Sequence, residues 1–211
     1  MKLPDELPTI GAGWTDEQWA ERDARIEAER QAELARGRAA YDARGTMHRG
    51  GFPLRAIDAA MAPTDTAAMR VLASHAWDAR PIVVLAGKVG CGKTVAATAH
   101  FLGLGGAVFI RATEFAAASR YDAEARKRLA SARGVLLDDL GQEFNDAKGS
   151  FLTDLQELVD VCYGDYKPLI ITTNLEAKEF AARVGNRIVD RIRECGAFLV
   201  VEGETLRRKA P

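Results

Sequence analysis

Five short apolar runs punctuate the chain: residues 81–86 (Pro-Ile-Val-Val-Leu-Ala), 107–110 (Ala-Val-Phe-Ile), 134–139 (Gly-Val-Leu-Leu-Asp-Asp), 168–173 (Pro-Leu-Ile-Ile-Thr-Thr) and 197–201 (Ala-Phe-Leu-Val-Val). Their aliphatic cores do not alternate with polar residues, so each predicts a strand buried on both faces. Between them the apolar residues recur at helical spacing, as Phe151, Leu155, Leu158, Val159 and Cys162 do in a predicted helix over 150–163. Helices are also expected from Pro63-Thr64-Asp65 to about Ala79, after Thr94, over 113–133, over 176–184 and over 186–195. Strands that alternate with helices predict an α/β fold with a parallel sheet covered on both faces.

The first part of the chain has a different pattern. Residues 1–13 carry Pro4, Pro8, Gly11 and Gly13 and read as a loose tail. Thr15 followed by Gln18 is a capping box, and Trp14 with Trp19 matches a hydrophobic staple. From Asp16 to Arg44 the chain is rich in Ala, Glu and Arg, all strong helix formers, with Trp19, Ile26, Leu34 and Tyr41 as sparse apolar positions. Such a helix buries little by itself. It reads either as a solvated or self-associating helix or as an arm that docks a partner through its tryptophans. Gly45 to Gly51 (Gly-Thr-Met-His-Arg-Gly-Gly) reads as a linker, dividing the chain into an arm, 1–50, and an α/β domain, 51–211.

Composition narrows the function classes. The 211 residues suffice for one core and an appendage, and 47% hydrophobic with 28% charged residues is ordinary for a globular chain. A net charge of -1 provides no global basic field, so any nucleic-acid contact must come from a local patch. Cys91, Cys162 and Cys195 lie far apart without a C-x-x-C, which excludes a disulfide scaffold and argues against a cysteine zinc site. His48, His75 and His100 share no ligand spacing. No apolar run approaches the length of a membrane span and the first residues lack a signal-peptide core, so a reducing, cytoplasmic location without membrane contact is expected.

The chemistry starts at Gly87-Lys88-Val89-Gly90-Cys91-Gly92-Lys93-Thr94, a G-x-x-x-x-G-K-T phosphate loop between a predicted strand and a predicted helix. In that setting backbone N–H groups and a helix N-terminus point at a phosphate, with Val95 continuing the cradle. Lys93 reaches the β- and γ-phosphates, and the Thr94 hydroxyl binds Mg²⁺. Asp138 ends an apolar strand, where a carboxylate holds the metal directly or through water, and Asp139 beside it is placed to polarise the attacking water. Asn174 follows the Ile-Ile-Thr-Thr strand end, where ligands of parallel sheets collect; it is also suited to cap the next helix. Arg187 and Arg191 share one helix face, as a solvated surface or as arginine fingers for a neighbouring subunit's nucleotide. Cys91 is read as a small residue that fits the loop, the alternative being a redox-sensitive thiolate.

Four ordered segments resemble one family. Val-Leu-Leu-Asp-Asp-Leu-Gly (135–141), Lys-Pro-Leu-Ile-Ile-Thr-Thr-Asn-Leu (167–175), Gly-Asn-Arg-Ile-Val-Asp-Arg-Ile (185–192) and Val-Glu-Gly-Glu-Thr-Leu-Arg (201–207) are similar to the DnaC-type helicase loaders and the related IstB-type transposition ATPases, both AAA+ proteins of the DnaA clade. The resemblance covers about residues 50–208. It implies a five-stranded parallel sheet of order 5-1-4-3-2, ATP with Mg²⁺, no C-terminal lid, Asn174 as the sensor, and Arg191 as the finger with Arg187 second. It also implies that Phe52-Pro53-Leu54-Arg55 lies beside the adenine. Lys88 departs from the family, whose loop usually has proline there, and a charged helix replaces the zinc module of some loaders. The family's helical insert between the second and third strands touches single-stranded DNA; the short one here offers Arg120, Arg126, Lys127, Arg128 and Arg133, a basic face or an ordinary soluble surface.

The function implied by the resemblance is an ATP-dependent loader of a DnaB-type replicative helicase. It would grip the helicase through the N-terminal arm and self-associate with ATP on single-stranded DNA. The alternatives are an IstB-like transposition helper and an ATP-gated scaffold with little turnover. A small-molecule kinase lacks its acceptor pocket and closing lid.

Overall fold

A computed structural model describes residues 15–62, 65–118, 123–142, 150–203 and 205–206, apart from the side chains of Asp16, Ala123 and Arg126. Strands β1 (Ile82–Gly87), β2 (Ala107–Arg111), β3 (Gly134–Leu140), β4 (Leu169–Thr173) and β5 (Gly196–Val201) are all parallel, in the order β2-β3-β4-β1-β5. This is the expected sheet, and it brings the carboxyl ends of all five strands to one edge. β1 lies between β4 and β5, with Leu85 opposite both Thr172 and Leu199.

Alternate residues of each strand feed two cores. Ile82, Val84, Val135, Leu137, Leu169 and Ile171 face one side. There they meet α5 (Ala112–Ala117), α6 (Ala123–Ser131), α7 (Ser150–Gly164), α8 (Ala177–Val184) and α9 (Asn186–Cys195). Val83, Leu85, Phe109, Leu136 and Ile170 face the other side and meet α2 (Leu54–Met61), α3 (Ala67–Ala73) and α4 (Lys93–Phe101). Burial on both faces is why the strands read as unbroken apolar runs.

The chain divides into two units, Met1–Asp42 and Ala43–Pro211. In the first, the helix α1 (Asp16–Arg49) starts at the expected capping box: Thr15 N–H donates to Gln18 Oε1 (2.9 Å) and Gln18 N–H to Thr15 Oγ1 (3.3 Å). Trp14, the other half of the expected staple, lies outside the described residues. Trp19, Ile26, Leu34 and Tyr41 are all exposed.

Three boundaries differ from expectation. Residues Gly45–Arg49 continue α1 instead of forming a linker, and the break comes at Gly50-Gly51. Met47 explains this: it is 2% exposed and packs in the core of the second unit. Arg44 also grips Asp58 on α2 through both carboxylate oxygens (2.6 and 3.1 Å). α3 ends at Ala73 rather than near Ala79, because the Trp77 indole folds back and donates to Leu72 O (3.2 Å), satisfying a helix-end carbonyl. The helix expected over 113–133 is split into α5 and α6.

Trp77 also stacks on His100, with ring centroids 3.8 Å apart, while His75 meets its edge at 4.9 Å. Burial, assisted by His75, lowers the pKa of His100 below its ordinary value of 6.5. The folded protein therefore resists protonating this ring. Its contribution is complete above 6.5 and is lost as pH falls through that value towards the lower folded one. Thermal melts from about pH 7.5 to about pH 5.5 are expected to show a falling midpoint in the parent and a flatter profile in His100→Gln.

Candidate active site

The phosphate loop leaves β1 at Gly87 and enters α4 at Lys93, with Gly90 (φ 85°) and Gly92 (φ 92°) in the left-handed region. Glycine adopts that conformation without a Cβ penalty, which lets the loop turn with its N–H groups inward. Gly87 is required for space: a Cβ there would lie 2.8 Å from Val201 O and 3.1 Å from Cys91 Sγ. Cys91 is 3% exposed and fills the floor of the loop, as a small packing residue does. Lys88 and Val89, by contrast, are exposed.

Lys93 is 5% exposed, and its ammonium donates to Gly87 O (2.8 Å), Lys88 O (3.0 Å) and Asn174 Oδ1 (2.9 Å). Its three donors are thus held by the loop's own carbonyls and by the end of β4. Asn174 does not cap the next helix. Glu176 is the N-cap of α8, with its N–H donating to Glu179 Oε2 (3.1 Å), and the Asn174 amide is left facing Lys93.

Thr94 Oγ1 donates to Asp138 Oδ1 at 2.8 Å, joining α4 to the end of β3. Asp138 is 5% exposed. Burial raises its pKa, the hydrogen bonds from Thr172 and Thr94 oppose that shift, the Asp139 charge adds to it, and Arg111 opposes it. Between Leu137 and Leu140 the β3–β4 register slips by a bulge, and Asp139 takes φ 59°. Aspartate tolerates this left-handed conformation better than most side chains. The bulge separates the two acids: Asp138 points into the buried site, and Asp139 is exposed at its mouth.

Thr172 carries no catalytic signature in the sequence, yet it organises both acids. Its hydroxyl donates to Asp138 Oδ1 (2.7 Å) and accepts from Asp139 N–H (2.9 Å), fixing both acids at once. Thr173 similarly donates to Leu140 O (2.7 Å). Both threonines are 0% exposed, and two buried hydroxyls closing an apolar strand are a readable signal, since each must find a partner.

After β5 the chain returns over the loop. Leu206 N–H donates to Gly90 O (2.9 Å), and a Cβ on Gly92 would lie 3.1 Å from Leu206 Cδ1. Phe52 is elsewhere. It is 0% exposed and packs with Phe101 (6.1 Å) and Phe109 (5.6 Å), at the end of α4 farther from the loop. It is a core anchor.

Arg187 and Arg191 on α9 contact neither the loop nor the acids of β3 among the described residues. Arg187 Nη2 donates to Asp160 Oδ2 (2.7 Å) on α7, and Arg191 Nε donates to Asp160 Oδ1 (3.3 Å). Arg191 Nη1 also donates to Glu194 Oε2 (3.2 Å), and its guanidinium lies 4.4 Å over the Tyr163 ring. Lys127 and Arg128 line a concavity of about 570 Å³ on α6 with Glu124, Ala125 and Ser131. Arg128 Nη2 leans on Arg49 O (3.4 Å), so it partly serves the end of α1. Arg120 and the side chain of Arg126 lie outside the described residues.

At the level of sequence, no family model and no curated protein matches the chain. Solved structures do. The DnaC helicase loader superposes with a TM-score of 0.51 at 21% identity, over 67% of this chain and 93% of that one. DnaI gives 0.51 at 20% identity, over 67% of this chain and 81% of that one. The replication initiator DnaA bound to AMPPCP and single-stranded DNA gives 0.53 at 20% identity, over 65% of this chain and 45% of that one. The chain has the AAA+ fold. Its strand order and its phosphate loop after β1 are those of that fold. The AAA+ sheet places the loop, Asp138 and Asn174 at one edge. Among the described residues, no helix is long and apolar enough to cross a membrane.

Proposed function

We propose that this chain is an ATPase that assembles with copies of itself and loads a DnaB-type replicative helicase onto single-stranded DNA. The observation that carries the ATPase reading is the meeting of Lys93, Thr94, Asp138 and Asn174 within hydrogen-bonding distance, from three separate elements. Thr94 and Asp138 would hold a hard cation such as Mg²⁺ through two oxygens. Held by these two side chains, the ion would supply positive charge to offset what develops on phosphoryl transfer.

The chain's own residues do the rest. Lys93 exchanges backbone carbonyls for phosphate oxygens, which accept more strongly because they are charged. Asn174, freed from Lys93, orients the attacking water, and Asp139 polarises it. The finger comes from a neighbour, since the described contacts of Arg191 and Arg187 lie on the α7–α9 face. The fold shared with the DnaC helicase loader and DnaI supports the loader reading, and the exposed Trp19, Ile26, Leu34 and Tyr41 give α1 apolar anchors for the helicase. Lys127 and Arg128 on α6, with Arg120 and Arg126 as sequence candidates, are the proposed contact for DNA phosphates.

The test is ATP turnover by the full chain alone, with single-stranded DNA, and with a DnaB-type helicase. Slow turnover that both additions raise is expected. Turnover indifferent to both, with no complex on gel filtration, contradicts the loader reading. In the same assay Tyr41→Ala is expected to weaken the helicase complex and leave DNA-free turnover as it was.

A further inference from the structure

The two arginines on α9 share one carboxylate. Asp160 gives one oxygen to Arg187 (2.7 Å) and the other to Arg191 (3.3 Å), so a single side chain on α7 sets the spacing between two guanidiniums one helical turn apart. We infer that Asp160 is a positioning residue for the inter-subunit ATP site, holding both arginines in the orientation in which a neighbouring subunit's phosphates receive them. This rests on the proposed function.

Three observations converge on it. An exposed arginine carries large rotamer freedom, and an ion pair or an aromatic platform reduces what is lost on engagement. Arg191 has both: Asp160 and Glu194 occupy two of its nitrogens, and Tyr163 covers one face of its guanidinium. Glu194 is itself held, since Tyr163 OH donates to its Oε1 at 2.7 Å. The result is a frame of Asp160, Tyr163 and Glu194 around Arg191. The Arg191 side chain is left 35% exposed and the more loosely held Arg187 63%. A surface ion pair contributes little to stability, and a frame this elaborate around one exposed guanidinium fits a requirement for orientation. Asp160 is the only described member of the frame that touches both arginines. Charge matters as well as shape: the amide of an asparagine offers one acceptor and turns its NH₂ towards the other guanidinium, where two donors oppose.

The experiment compares Asp160→Asn, Asp160→Glu and Arg191→Ala with the parent, in the full chain, by steady-state turnover under assembling conditions. Asp160→Asn is expected to lower kcat about tenfold with KM for ATP changed less than about twofold, because the nucleotide's own subunit is intact. Asp160→Glu, which keeps the charge, is expected to recover at least half of the loss. Thermal midpoints of both variants should stay near the parent's, separating positioning from folding. Should Asp160→Asn prove unstable, Tyr163→Phe, which releases only Glu194, provides a second variant, expected to show a smaller loss of kcat at unchanged KM. Parental kcat in Asp160→Asn alongside a disabled Arg191→Ala overturns the role of Asp160 and leaves the inter-subunit reading standing. Parental kcat in Arg191→Ala as well overturns both. A loss in Asp160→Asn that appears in KM instead of kcat, or that Asp160→Glu does not relieve, also overturns it.

Discussion

An Arg191→Ala chain is expected to bind ATP as the parent does and to lose about a thousandfold of its assembly-stimulated turnover, the scale of an arginine finger. The structure gives the reason for both halves. Arg191 has no described contact with Lys93, Thr94, Asp138 or Asn174, so removing it leaves the subunit's own phosphate cradle untouched. Its guanidinium is framed by Asp160, Glu194 and Tyr163 on a different face, and the loss of turnover follows from its proposed role towards a neighbour. Arg187→Ala is expected to lose less, because Arg187 is tied by one ion pair and is more exposed. Fluorescent-nucleotide binding together with turnover at saturating ATP separates the two effects.

Asp138→Asn is expected to abolish Mg²⁺-dependent turnover while raising the thermal midpoint by on the order of a few degrees. Burial lifts the Asp138 pKa above its ordinary value of 3.8, against the hydrogen bonds from Thr172 and Thr94. A carboxyl whose folded pKa is raised contributes stability that is complete below 3.8 and lost as pH rises through the folded value. At neutral pH the ionised, buried group is therefore a cost to the folded state without metal. Asparagine keeps an oxygen to accept from Thr94 Oγ1 and Thr172 Oγ1 and removes the charge, along with the anionic ligand the metal needs. Melting curves at neutral pH without Mg²⁺, beside a turnover assay with it, check the pair of outcomes. A lower midpoint would show that the carboxylate stabilises the site even without metal.

The sheet was legible because its strands are buried on both faces: Val83 and Val84 point to opposite cores, and both had to be apolar. The phosphate loop, Asp138 and Asn174 were legible because each sits at the end of an apolar run, where the fold collects its chemistry. What escaped depends on contacts between distant residues. The α-helix through Gly45 is set by Met47 entering a core formed by Phe52, Ile57 and Phe101, which no local propensity encodes. At the end of α3 the backbone N–H groups of Ser74 and His75 are joined by the Trp77 indole N–H. Thr172 looked like an ordinary β-former, and its role appears only when Asp138 and Asp139 flank it across the β3–β4 pairing. Asp160 sits on the exposed side of an amphipathic helix among other acids; only the packing of α9 against α7 gives it two arginines.

Whether each active site is shared between subunits is tested most directly by mixing defective subunits. Lys93→Ala chains lack a working phosphate cradle and keep Arg191; Arg191→Ala chains keep the cradle and lack the finger. Each alone is expected to be nearly inactive. Mixed in equal amounts under assembling conditions, they are expected to regain about a quarter of the parental rate, since half the cradles belong to Arg191→Ala chains and half of those meet an intact finger. A mixture no more active than its parts would contradict the shared site.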